Sequence, residues 1–143
     1  MWRQLLAALL LTLGTASAWA DIGFVKTVSG DATIVSSGAS RKAEVGAALK
    51  VGDELRTAAG ASMGITLRDN TVMSFGPSTV FVLEEYLFAP SRGEAKLTGR
   101  IGSGSLHYIS GLIARNRPEA VSVKTPTGTI GVRGTRFVVV VDQ

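Results

Sequence analysis

Thr125-Pro126-Thr127-Gly128-Thr129-Ile130-Gly131-Val132-Arg133-Gly134-Thr135-Arg136-Phe137 runs straight into Val138-Val139-Val140-Val141. Glycines at 128, 131 and 134 fall three apart, a spacing that invites comparison with phosphate-binding loops. Such loops present backbone N–H groups at the start of a helix. Here the glycines lead into a β-branched run, which is strand-forming, and neither G-x-x-x-x-G-K-[ST] nor G-x-G-x-x-G is present. The glycines therefore read as corners or close backbone approaches in a β structure, where a Cβ would be penalised.

The same reading extends outward. Upstream, Val121, Val123 and Thr125 alternate with Ser122 and Lys124, and Met63, Ile65 and Leu67 alternate with Ser62, Gly64, Thr66 and Arg68. Both patterns have the period of two expected of half-buried strands. Phe24 to Ser29 and Ala32 to Val35 read as strands broken at Gly30-Asp31, and Thr71 to Phe75 and Thr79 to Leu83 as strands around the corner Gly76-Pro77-Ser78. Asp69-Asn70 supplies a turn. Gly46 weakens any helical turn over Ala43 to Leu49, and Val51-Gly52-Asp53 ends it. Glu84 to Arg100, interrupted by Pro90, Gly93 and Gly99, reads as a surface excursion; Ile101 to Ile109 resumes extended structure, and Arg115 to Glu119 is an exposed loop. Short strands separated by glycine corners predict an all-β fold: a sandwich, a small barrel or a solenoid.

Composition agrees. The chain has 17 glycines and 45% hydrophobic residues, too many of the latter for disorder. Met1 to Ala20 has the parts of a secretory signal: Arg3, the apolar run Leu5 to Leu13, and Ala18-Trp19-Ala20 as a small-x-small cleavage site. That run is shorter than the about 20 residues a membrane span needs. The expectation is a signal peptide over 1–20, cleaved after Ala20, and one periplasmic domain over 21–143. Cysteine is absent, so there is no disulfide and no thiolate metal site. The net charge of +4 is mild and dispersed, which argues against a nucleic-acid binder.

Few residues suggest chemistry. His107 is the single histidine, and on a strand it shares a face with Ser105 without being aimed at it. Glu84 and Glu85 are adjacent and would point to opposite faces, so they form no carboxylate pair. Asp53 and Asp69 occupy turn positions, where capping backbone N–H groups is their usual work. No catalytic residue, metal site or cofactor is expected. Lys124, Arg133 and Arg136 are the candidate binding residues, as a patch for an acidic partner or an anion.

Val123-Lys124-Thr125-Pro126-Thr127-Gly128 followed by Ile130-Gly131-Val132-Arg133-Gly134-Thr135-Arg136-Phe137 resembles the V-x-T-P…VRGT-x-F signature of the FecR domain. Val51-Gly52-Asp53-Glu54-Leu55-Arg56-Thr57 is similar to that family's V-G-D-x-[hydrophobic]-x-T element, and Ser62, Ile65 to Leu67, Asp69 to Thr71 and Pro77-Ser78 follow in the family's order. The resemblance covers about Phe24 to Val141. Asn70 stands where the family usually has glycine; asparagine also tolerates the left-handed region. Gly52, Asp53, Pro126, Gly131, Gly134 and Thr135 are its structural signature residues here.

The resemblance implies a periplasmic all-β domain of β-solenoid character, which turns the choice among architectures toward short stacked strands. Regulator-type members relay a signal from an outer-membrane, siderophore-linked transporter to a cytoplasmic sigma factor. Here an export signal stands where their cytoplasmic segment and span would be, so direct sigma-factor contact is not expected. The expected function is that of a non-catalytic periplasmic interaction module, an accessory of envelope signalling or transport. It would dock an envelope protein through a sheet edge or through the face bearing Arg133 and Arg136. The alternative is binding of an anionic envelope polymer, peptidoglycan or lipopolysaccharide, through Lys124, Arg133 and Arg136.

Overall fold

A computed structural model describes residues 21–132 and 134–142. The signal expected over 1–20, and Arg133, lie outside them. Twelve strands hydrogen-bond into one sheet: β1 (Gly23–Ser29), β2 (Ala32–Ser36), β3 (Ala39–Lys42), β4 (Ala48–Leu49), β5 (Glu54–Thr57), β6 (Ser62–Leu67), β7 (Val72–Phe75), β8 (Val80–Ala89), β9 (Glu94–Ile109), β10 (Val121–Thr125), β11 (Gly128–Gly131) and β12 (Arg136–Val141). Among the described residues one short α-helix, α1 (Leu112–Asn116), lies between β9 and β10. The fold is all-β.

The main path runs β3-β2-β5-β8-β9-β7-β6-β1-β4, antiparallel throughout, and curls into an open half-barrel. This is the small-barrel form of the expected all-β fold. Neighbours along the path pair antiparallel, whereas a solenoid would stack successive coils. The described exception is β10, which runs parallel to β9 and is reached by a crossover through α1 and the 3-10 turn Pro118–Ala120. A parallel connection needs such a crossover.

Strand β9 organises the molecule. Its first part pairs with β8 and β10, and its last part, Gly104 to Ile109, pairs with β12 and, from Leu106, with β7. The change of partners falls at Gly104, where φ is +89° and a Cβ would overlap the backbone and side chain of Thr79. Glycine is needed there on both counts. The bend folds one half of the sheet over the other, so that Phe75 on β7 meets Phe81 on β8 with ring centroids 4.9 Å apart. Around that contact the alternate residues Val25, Ile34, Leu55, Ile65, Met73, Leu83, Ile101 and Leu106 are buried. Each such side chain contributes about 1.5–3 kcal/mol by leaving water.

Two local readings change. The segment expected to be a surface excursion, Glu84 to Arg100, is a long β8–β9 hairpin closed by the 3-10 turn Pro90–Arg92 and Gly93. Its proline and glycine interrupt at the turn, where they belong. Arg115 to Glu119 is the end of α1 and a 3-10 turn rather than plain loop. In line with the weakening by Gly46, Ala43 to Leu49 forms no helix, and it ends in the two residues of β4. Asn70 sits at φ +67°, as its place in the turn requires.

Candidate interaction surface

Four strands pair on one side only among the described residues: β3, β4, β11 and β12. An unpaired strand edge offers a row of N–H and C=O groups to any other chain, and proteins usually blunt it with charge, brevity or glycine. Three of the four are blunted. β3 is exposed along its length and carries Arg41 and Lys42; β4 has two residues; β11 has four, beginning and ending in glycine. β12 differs, since Phe137 to Val141 carries no charge, and Val138 and Val140 are 54% and 68% exposed.

The parity of β12 is set by its first residues. The Ser110 N–H donates to the Thr135 carbonyl at 2.8 Å, and the Ser110 hydroxyl to the Gly134 carbonyl at 3.2 Å. With Arg136 opposite Ile109, Thr135 opposes Ser110, so this is a hydrogen-bonded pair and the next one is not. The N–H and C=O groups of Arg136, Val138 and Val140 therefore point away from β9. Val140 faces Ser105, whose own N–H and C=O engage Thr79 and Gly76 on the opposite side, which gives the same phase. Phe137 and Val139 turn inward; Phe137 stacks on Tyr108 with centroids 4.6 Å apart, and Val139 is buried. A cleft of about 380 Å³ opens beside the strand, between Val139 to Asp142 and the Thr125 to Thr127 turn with Ile130.

The candidate cations are not gathered into one patch among the described residues. Lys124 lies opposite Arg100 on β9 and Arg136 opposite Ile109, nine residues further along that strand. Lys124 is engaged: its ammonium is 3.0 Å from Glu84, whose other oxygen is 2.6 Å from Arg100. Glu84 reaches both because it is the extra residue of a β8 bulge, between Leu83 opposite Gly99 and Glu85 opposite Thr98. Glu85 pairs separately with Lys96 at 2.8 Å. The sequence reading sets the two glutamates on opposite faces; the bulge resets the alternation and brings both to the same face, where their partners Lys96 and Arg100, four residues apart on β9, also lie. Arg136 is exposed and joins no ion pair among the described residues; Arg133 is outside them.

The signature residues hold turns. Gly52 sits at φ +91°, and buried Asp53 accepts hydrogen bonds from the Ser36 hydroxyl at 2.6 Å and the Lys50 N–H at 2.9 Å. Pro126 and Thr127 form the two-residue β10–β11 loop, with the Thr125 hydroxyl accepting from Gly128 N–H at 3.2 Å. Gly131 ends β11, and Gly134 takes φ +88° with open space around it.

Asp69 does more than cap its turn. Fully buried, its carboxylate accepts from Thr71 N–H (3.3 Å), Thr71 hydroxyl (2.7 Å), Tyr86 hydroxyl (3.0 Å) and Ile113 N–H (3.1 Å). Burial, reinforced by the negative charge of Asp69, pushes the Tyr86 phenol well above its ordinary range. Sequence indicated the turn but not the two distant donors. His107 is exposed and Ser105 half-buried on β9, with Ser74 and Val138 as the cross-strand neighbours of His107. Among the described residues no three of His, Asp and Glu cluster as metal ligands, and no helix is long and apolar enough to cross a membrane.

The family model described as FecR protein matches residues 53–143. The chain belongs to the FecR family. The match starts at Asp53, the buried turn acid, and takes in β5 to β12. In this FecR chain the preceding strands β1 to β4 complete the same sheet through β1–β6 and β2–β5 pairing. No curated protein and no solved structure gives a significant match to the chain. FecR domains are in general envelope-associated signalling regulators rather than catalysts, and act with protein partners.

Proposed function

We propose that this FecR-family chain is an exported, non-catalytic interaction module of the periplasm, an accessory of envelope signalling or transport, that meets its protein partner through β12. In this reading residues 1–20 are the export signal, removed after Ala20, and 21–143 the working domain. The observation that carries it is the unguarded edge of β12 beside three guarded ones. A sheet edge, and Arg136 of the expected Arg133 and Arg136 face, both belong to this strand, which supports the reading; Arg133 lies outside the described residues. Main-chain hydrogen bonds along such an edge supply affinity, and alternate side chains supply specificity. The anionic-polymer reading has less support, because Lys124 is engaged by Glu84 and stands far along β9 from Arg136.

The test is a photo-crosslinking residue placed in living cells at Val140, with Ser40 on β3 as the control. Protein adducts from Val140 and not from Ser40 are expected. Adducts from Ser40 alone, or none from β12, would overturn the reading. Fractionation tests the export half: a chain beginning at Asp21 is expected in the periplasm, and a cytoplasmic chain retaining residues 1–20 would exclude it.

A further inference from the structure

We infer that the occupant of the β12 edge is a second copy of this chain, paired strand to strand about a two-fold axis. The inference rests on β12 being the contact strand, and adds what binds there and in which register.

The residues whose N–H and C=O groups point outward are Arg136, Val138 and Val140, and Asp142 continues that phase. All four are exposed. Read along the strand their side chains are positive, apolar, apolar, negative. Reversed, as a two-fold copy presents it, the same order opposes each charge to its opposite and each valine to a valine. Outward-pointing groups must meet outward-pointing groups, so registers are allowed only in steps of two residues. One of them sets Arg136 against Asp142 of the copy and Val138 against Val140, with Val139 on the axis. Sliding by one allowed step places Val138 against itself and each arginine against Val140, losing both ion pairs.

The inner face fits this register too. Phe137 and Val141 are only half-buried in the single chain, and each would face the other across the axis. Pairing thus adds main-chain hydrogen bonds along four residues per strand, lateral contact among four exposed valines, and an ion pair at each end. A C2 interface of this kind is self-complementary, and it closes without leaving β12 free to recruit further copies.

The chain contains no cysteine, so register can be read by single substitutions in the full chain. Under mild oxidation, Val138→Cys mixed with Val140→Cys should give the mixed disulfide in preference to either self-linked product. A Val138→Cys chain that links chiefly to its own kind would overturn the register. Sedimentation from micromolar to millimolar concentration should show a monomer–dimer equilibrium. Val140→Lys should weaken it about tenfold or more, because a lysine then faces Val138 at both places. Arg136→Asp should weaken it about fivefold, and adding Asp142→Arg should restore it, since the double swap keeps opposite charges opposed. Unchanged thermal melts of these exposed variants would separate lost pairing from lost folding.

A parent that stays monomeric throughout, or a dimer indifferent to Val140→Lys, overturns the inference. If the parent is monomeric while Val140 still crosslinks a different protein, the second copy is excluded and the contact-strand reading stands. If neither dimer nor adduct is found, both fall.

Discussion

Replacing Asp69 by alanine should be among the most damaging single changes in this chain. The carboxylate is fully buried and joins three segments: its own turn through Thr71, the β8–β9 hairpin through Tyr86, and α1 through Ile113. Its backbone adds to this, with the Asp69 carbonyl accepting from Leu112 N–H at 2.7 Å and the Asp69 N–H donating to the Tyr86 oxygen at 2.9 Å. Alanine leaves the Ile113 N–H and the Tyr86 and Thr71 hydroxyls without their acceptor in a buried place. Breaking one side of such an arrangement costs about 3–5 kcal/mol, a large share of the about 5–15 kcal/mol that holds a domain folded. Asparagine keeps one oxygen but turns an NH2 toward donors, so about 2 kcal/mol is expected. Urea unfolding is the assay: with a slope of about 1.5 kcal/mol per molar, the alanine midpoint should fall by about 2–3 M. A double-mutant cycle with Tyr86→Phe should show coupling, because the two share a hydrogen bond. An alanine variant within about 1 kcal/mol of the parent would refute the view that Asp69 pins these segments together.

Further outcomes follow from other buried groups. Tyr86 and Tyr108 are the chain's two tyrosines, and burial raises the phenol pKa of both, so titration of the native protein should show no phenolate at the ordinary pH near 10. Because the folded values lie above the unfolded ones, the stability they contribute is complete below about pH 10 and is lost as pH rises beyond it, and normal titration without unfolding would contradict this. Tyr86→Phe should cost about 1–2 kcal/mol through its lost bond to Asp69. Tyr108→Phe should be neutral or slightly stabilising by chemical denaturation, since that hydroxyl is buried without a protein partner while the ring keeps its stack on Phe137. Gly104→Ala should cost more than about 3 kcal/mol, combining positive φ with overlap on Thr79, whereas Gly134→Ala, positive in φ but in open space, should cost about 1–2 kcal/mol; equal melts would show that crowding at Gly104 relaxes freely. Glu84→Gln should change stability by less than about 1 kcal/mol, its partners being exposed, and a larger loss would mark the bulge as a keystone.

What the sequence made legible was whatever depends on neighbours in the chain. Alternation placed β6 and β10, and turn chemistry placed Asn70 and the corner at Gly76-Pro77-Ser78, because each is a local preference. The long β8–β9 hairpin was missed, since its pairing joins residues far apart and its middle is broken by a bulge that shifts the alternation. The curl of the sheet was hidden for a related reason: it depends on a bend at Gly104 whose need arises only when Thr79 packs against it. Lys124 looked like an open cation because Glu84, forty residues earlier, gives no sequence sign of meeting it.

The V-R-G-T-x-F signature takes a clearer physical meaning from its place at the start of β12. The Gly134 and Thr135 carbonyls tie to Ser110, and Phe137 stacks on Tyr108, so the segment fixes where β12 starts against β9 and which face of it turns inward. A slip of one residue would put Phe137 outside, bury Val138 and Arg136, and reverse which backbone groups point away from the sheet. The even-numbered residues, and with them the charge order Arg136 to Asp142, are outward because Thr135 is held in a hydrogen-bonded pair. On this reasoning the signature's glycine and threonine act by presenting an edge strand in one phase, and whatever specificity the surface has is written in the residues that follow them.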